Sequence, residues 1–139
     1  MAFSHIGLTC KDPKAIERFY TKYFGFSRAR VIPLGDWDLV FIKSGNMYLE
    51  LFKTGESSPL PNAEKDGYPF PGFRHIAFQV ENIDAKLAEM GDDARITQGP
   101  IDFGDFIPGW RTVWVADPEG NIVEISQGYT DQDNPPALD

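Results

Sequence analysis

Phe3-Ser4-His5-Ile6-Gly7-Leu8 returns later in the chain as Phe73-Arg74-His75-Ile76-Ala77-Phe78, and Tyr48-Leu49-Glu50-Leu51 returns as Ile122-Val123-Glu124-Ile125. The two His are the only ones among 139 residues, and each Glu stands between apolar residues where a strand would ordinarily be buried. Recurrence of both residue types in matched surroundings marks an internal duplication, and so two copies of one module. Imidazole nitrogen and carboxylate oxygen are ligand types that borderline and hard divalent cations accept. A duplicated His and Glu converging on one point is therefore a candidate metal site.

Around these pairs the periodicity predicts a βαβββ order, twice. Residues 3 to 10 alternate as a half-buried strand, with Ile6 and Leu8 on one side and His5, Gly7 and Thr9 on the other. Asp12-Pro13 then opens a helix, Asp12 as cap and Pro13 at the first helical position. Ile16, Phe19, Tyr20, Tyr23 and Phe24 give it an apolar stripe, and Gly25 ends it. Strands follow near 27 to 33, 37 to 43 and 46 to 53, the last two joined at the turn Ser44-Gly45-Asn46. The second half predicts a strand at 73 to 80, a helix at 83 to 90 stopped by Gly91, and strands near 95 to 99, 110 to 116 and 121 to 127. Asp117-Pro118-Glu119-Gly120-Asn121 reads as the last turn. The expected fold class is α+β: two tandem βαβββ modules in one domain, forming a curled mixed sheet around a metal-binding cavity. Module one is 1–53, a Pro- and Gly-rich surface linker 54–72, module two 73–127, and a loosely ordered tail 128–139.

Alternation sets where the candidate ligands point. Leu49 and Leu51 share the helix-packing side of their strand, which leaves Tyr48, Glu50 and Phe52 opposite; Val123 and Ile125 pack likewise and leave Glu124 opposite. Ile76, Phe78 and Val80 pack in the strand at 73 to 80, leaving His75, Ala77 and Gln79. All four candidate ligands thus fall on the face away from the helices, and Tyr48, Phe52 and Gln79 accompany them as substrate-binding candidates. Trp110, Thr112 and Trp114 alternate with Arg111, Val113 and Val115, so the two Trp share one face. That face either fills the core or offers an apolar wall, with Trp114 as a further substrate-binding candidate. Arg111 lies on the other face and is expected in a surface salt bridge rather than as an anion clamp.

A net charge of −8 and a pI near 4.7 argue against nucleic-acid or anionic-membrane partners, both of which need basic patches. No stretch approaches the roughly 18 consecutive apolar residues needed to span a bilayer. Cys10 is the sole cysteine, so no intrachain disulfide forms, and no spare His is left to act as its base. With neither a basic segment nor an apolar signal region at the N-terminus, a cytoplasmic protein acting on a small molecule is expected. Open sheet edges and half-cavities in each module predict a homodimer.

The same residues resemble the vicinal oxygen chelate superfamily, which holds glyoxalase I, methylmalonyl-CoA epimerase, extradiol dioxygenases, fosfomycin-resistance proteins and bleomycin-binding proteins. The resemblance runs from residue 3 to residue 127. It rests on His5, Glu50, Arg74-His75-Ile76-Ala77-Phe78, and Asp117-Pro118-Glu119-Gly120-Asn121-Ile122-Val123-Glu124-Ile125. It implies that His5, Glu50, His75 and Glu124 bind one divalent ion (nickel, cobalt, zinc, manganese or iron) that holds two neighbouring oxygens of the substrate. A metal bound to a carbonyl oxygen makes the adjacent C–H acidic and stabilises the resulting enediolate, while a nearby carboxylate takes the proton and returns it elsewhere. By the resemblance Glu50 or Glu124 is that catalytic base, and the implied activity is a divalent-metal-dependent lyase or isomerase of the glyoxalase type. Two alternatives stand beside it. An extradiol dioxygenase needs iron with two His and one carboxylate, and a fourth ligand would occupy a position that oxygen requires. A non-catalytic antibiotic-binding protein needs no ligand set. Thr9 and Thr54 stand where glutathione-dependent glyoxalase I usually has Arg and Asn, which points away from a glutathione adduct.

Overall fold

A computed structural model describes all 139 residues. They group into two compact units: Met1–Ala63 with Ala116–Asn121, and Glu64–Val115 with Ile122–Asp139.

The first unit holds β1 (Ile6–Cys10), α1 (Pro13–Phe24), β2 (Ser27–Pro33), β3 (Asp38–Ser44) and β4 (Met47–Lys53). Its sheet runs β1-β4-β3-β2, with β1 parallel to β4 and the other neighbours antiparallel. α1 starts where expected because the Asp12 side chain accepts from Ala15 N at 3.1 Å and Pro13 needs no hydrogen-bond partner there. It stops at Gly25, whose φ of 71° is the left-handed value that favours glycine. Ile16, Phe19, Tyr20, Tyr23 and Phe24 are buried, as are Val40, Ile42, Leu49 and Leu51 of the sheet. β3 and β4 close tightly, Ser44 pairing with Met47 across Gly45-Asn46.

The second unit holds β5 (Ile76–Gln79), α2 (Ile83–Met90), a short 3-10 turn at Gly91–Asp93, β6 (Arg95–Asp102), β7 (Arg111–Ala116) and β8 (Ile122–Gln127). Its sheet repeats the first, in the order β5-β8-β7-β6 with β5 parallel to β8. Val113, Val115, Val123 and Ile125 are fully buried together with Ile83 of α2.

Four boundaries differ from the sequence expectation. The paired strands begin at Ile6 and Ile76, one residue after each His, so both imidazoles are carried by backbone just outside the ladder. β6 continues past Gly99-Pro100 to Asp102, which an edge strand permits because its outer N–H positions need no partner. Within the 54–72 segment, the part from Glu64 groups with the second unit. Finally, the turn between β7 and β8 clusters with the first unit, because Asp117 is buried there and accepts from the Tyr20 hydroxyl at 2.8 Å.

Candidate metal centre

The two pairs are built by the same device. In the first unit the parallel ladder sets Gly7 opposite Glu50; in the second it sets Ala77 opposite Glu124. The residue two positions after each His is small, and over Gly7 it is the Phe52 ring that lies nearest. His5 Nε2 lies 3.0 Å from Glu50 Oε2, and His75 Nε2 lies 3.6 Å from Glu124 Oε1. Each Glu stands on the face opposite wholly buried residues, Leu49 and Leu51 in one strand and Val123 and Ile125 in the other, as alternation requires.

Both rings are held at the other nitrogen. His5 Nδ1 is 2.8 Å from Ser4 Oγ, and His75 Nδ1 is 2.6 Å from the Asp66 carbonyl. A carbonyl oxygen only accepts, so Nδ1 of His75 carries the proton, and in the neutral ring the lone pair on Nε2 points at the Glu124 carboxylate. Two acceptors then face each other unless a proton or a cation stands between them. Gly67 makes this contact possible. With φ at 126° it lies so close to Arg74 that a Cβ would fall 2.0 Å from the Arg74 carbonyl oxygen, and Arg74 Nη1 clasps Asp66 Oδ2 at 3.0 Å. Neither Asp66 nor Gly67 was singled out from the sequence, where the only signal was a glycine in an irregular segment shortly before a scarce His.

Glu124 is half-buried, and its surroundings alter its acidity. Burial pushes its pKa above the usual 4.5, while the nearby His75 and the Trp114 N–H pull it back. Trp114 is 4 % exposed and packs edge-on at 6.4 Å from the His75 ring. Its buried Nε1 has no hydrogen bond of normal geometry, nor does the buried hydroxyl of Thr112 on the same face of β7. Phe103, which the sequence reading passed over, lies 4.9 Å from Trp110 and 6.5 Å from Trp114 by ring centres, so the Trp face is an aromatic wall. In the first unit Phe41 plays a similar part, touching the His5 ring edge-on at 5.6 Å. Tyr48 is half-buried, while Phe52 and Gln79 are exposed.

Two further sequence expectations concern residues outside the pairs. Arg111 Nη1 binds Asp84 Oδ2 at 3.0 Å, the surface salt bridge anticipated for it. Cys10 is buried, and burial, with Glu119, Asp117 and Asp12 nearby, pushes its thiol up to about 12, away from thiolate character. No three His, Cys, Asp or Glu side chains come together in one cluster. The donor set nonetheless fits a divalent ion, since each pair offers one oriented imidazole and one carboxylate, and in the second pair a neutral ring would set two acceptors face to face with room for a cation to satisfy both.

A family model for the Glyoxalase/Bleomycin resistance protein/Dioxygenase superfamily matches residues 2–125. The chain is 27% identical over 127 residues to virulence protein STM3117 of Salmonella typhimurium, which covers 88% of this chain and 81% of that one. Among solved structures, a glyoxalase/dioxygenase from Nostoc punctiforme shares a TM-score of 0.70 at 23% identity, over 91% of this chain and 90% of its own. TnmS3, an antibiotic binding protein from Streptomyces sp. CB03234, shares 0.64 at 17% identity, over 93% and 97%. These last two likenesses concern the fold.

Proposed function

The chain belongs to the glyoxalase/bleomycin resistance protein/dioxygenase superfamily, and we propose that within it this protein is a divalent-metal-dependent lyase or isomerase of the glyoxalase type. Its ligands are His5, Glu50, His75 and Glu124, and its substrate is a small molecule with vicinal oxygens. One observation carries the reading: in each unit the backbone just before a parallel ladder brings an imidazole Nε2, hydrogen-bonded through Nδ1, to a carboxylate on the neighbouring strand. A bound nickel, cobalt, zinc, manganese or iron ion would supply Lewis acidity, making the C–H beside a substrate carbonyl acidic.

The chain's own residues supply the rest. Glu124 would be the base that takes the carbon-bound proton and returns it to a neighbouring position. Glu50 is the corresponding carboxylate of the first unit. The Asp66 carbonyl holds the His75 ring in place, and Trp114 packs edge-on beside it. Tyr48, Phe52, Gln79 and Trp114 are the substrate contacts.

Protein purified without added metal should contain a divalent ion that His75→Ala or Glu124→Gln depletes while the circular-dichroism spectrum survives. Full occupancy in both variants would refute the ligand assignment. Turnover should place solvent deuterium at the carbon next to the substrate carbonyl and should continue without oxygen. Oxygen uptake stoichiometric with catechol loss would replace this reading by the dioxygenase.

The aromatic wall of Phe103, Trp110 and Trp114, on a fold shared with an antibiotic binding protein, supports a second reading as a non-catalytic small-molecule binder. Tight ligand binding that is indifferent to metal removal, with no turnover, is the result that would favour it.

A further inference from the structure

The sheet face that carries His5 and Glu50 also carries a cavity of about 390 Å³, lined by Arg28, Ala29, Arg30, Phe41, Lys43 and Tyr48. The ladder orders these residues. Glu50 stands opposite Phe41 and Phe41 opposite Arg30, so β4, β3 and β2 set a carboxylate, a ring and a guanidinium in one row. Tyr48 opposite Lys43 forms the adjoining row. At strand spacings near 4.8 Å, Arg30 is roughly 10 Å across the sheet from Glu50 at the backbone.

The three cations of the cavity are not equivalent. Arg28 is neutralised by Glu17, its Nη2 donating to Oε2 at 3.1 Å. Arg30 and Lys43 are exposed and form no salt bridge. Two unpaired cations therefore border two aromatic rings in a chain whose net charge is −8. A guanidinium fork and an ammonium point charge together suit a carboxylate or phosphate, and ring faces suit the apolar body that bears it.

We propose that this cavity is an anion subsite, in which Arg30 and Lys43 hold the carboxylate or phosphate of a ligand whose apolar body lies over Phe41 and Tyr48. Phe41 touches His5, so such a ligand extends from the cations towards the His5–Glu50 pair. This deepens the function proposed above by naming the substrate as an organic anion, and it rests on that function only for the role of the far end.

Titration of the protein with benzoate, phenyl phosphate and the neutral benzamide, followed by backbone amide shifts and by calorimetry at low salt, tests it. Benzoate should bind at least ten-fold more tightly than benzamide, with shifts centred on residues 28–30 and 41–43. The Arg30→Gln/Lys43→Gln variant should lose ten-fold or more of the affinity for both anions, whereas Arg111→Gln, which removes a cation of the surface salt bridge with Asp84, should keep it. The tighter of benzoate and phenyl phosphate identifies the natural head group as carboxylate or phosphate. Benzamide binding as well as benzoate, or undiminished anion affinity in the double variant, would overturn the proposal. Metal content tells the two readings apart. Anion binding that persists while wild-type protein holds no metal removes the metal-centred function alone, and metal retained without anion binding removes the subsite alone.

Discussion

Asp117 is wholly buried and saturated. Its Oδ1 accepts from the backbone N–H groups of Glu119 and Asn121 at 2.9 Å each, and its Oδ2 accepts from the Tyr20 hydroxyl at 2.8 Å and from Asn121 Nδ2 at 2.9 Å. The residue closes the β7–β8 turn and at the same time anchors it to α1. Truncation strands buried donors, each worth about 1–3 kcal/mol when unsatisfied, so Asp117→Ala should lose on the order of 3 kcal/mol in urea denaturation. Tyr20→Phe, which removes a donor and leaves the carboxylate its other partners, should lose about 1 kcal/mol. The pH dependence follows from the same burial. Desolvation raises the Asp117 pKa above its ordinary 3.8, the four hydrogen bonds only partly opposing it, so the native state keeps this proton to higher pH than the unfolded chain does. The associated stability is full below 3.8 and fades as pH rises through the native pKa. Asp117→Asn should lack that decline in melts recorded from pH 3.5 upward.

At the scale of elements, α2 depends on its cap more than α1 does. It has eight residues with only Ile83 and Met90 buried, whereas α1 has twelve with five buried. A helix so short has little intrinsic stability. Asn82 accepts from Ala85 N at 2.9 Å, and Gln127 Oε1 accepts from Ile83 N at 2.8 Å, which satisfies two of the first-turn donors. Asn82→Ala should therefore lower stability by about 1 kcal/mol, and by no less than Asp12→Ala does, in paired thermal melts. The contrast shows why elements were legible in the sequence. In α1 the cap, Pro13, the apolar stripe and Gly25 all say the same thing, and the helix runs as read. The sequence predicts that β6 ends near residue 99 because Gly99-Pro100 reads as a break, and only its place at the sheet edge shows that the strand can continue through it. The strands expected from residues 3 and 73 begin pairing only at Ile6 and Ile76, because alternation tracks which way side chains point, not where backbone pairing begins.

At the scale of the whole chain, the His–Glu repeat was legible because both its members are conspicuous in matched apolar settings, and their common face follows from alternation alone. Asp66, Gly67, Phe41, Arg30 and Lys43 were not. Their roles come from a loop returning to His75 and from cross-strand register, neither of which leaves a local pattern. Register also bears on assembly. Each four-stranded sheet ends in two edge strands, β1 and β2 in one and β5 and β6 in the other, and an edge exposes a row of unpaired N–H and C=O groups. Apolar side chains lie on two of these edges, with Val31 of β2 37% exposed and Ile96 of β6 48% exposed, and Leu34 just beyond β2 is 45% exposed. A second copy of the chain, meeting the first about a two-fold axis, can cover such edges with matching ones, and on that ground the protein is predicted to be a homodimer. Sedimentation at micromolar concentration should give a mass near twice 15.6 kDa. Val31→Asp or Ile96→Asp, whichever edge forms the contact, should shift that mass towards the monomer without unfolding the chain, because neither side chain is part of a core. A monomer across the micromolar range for the unaltered protein would show that both edges stay in water.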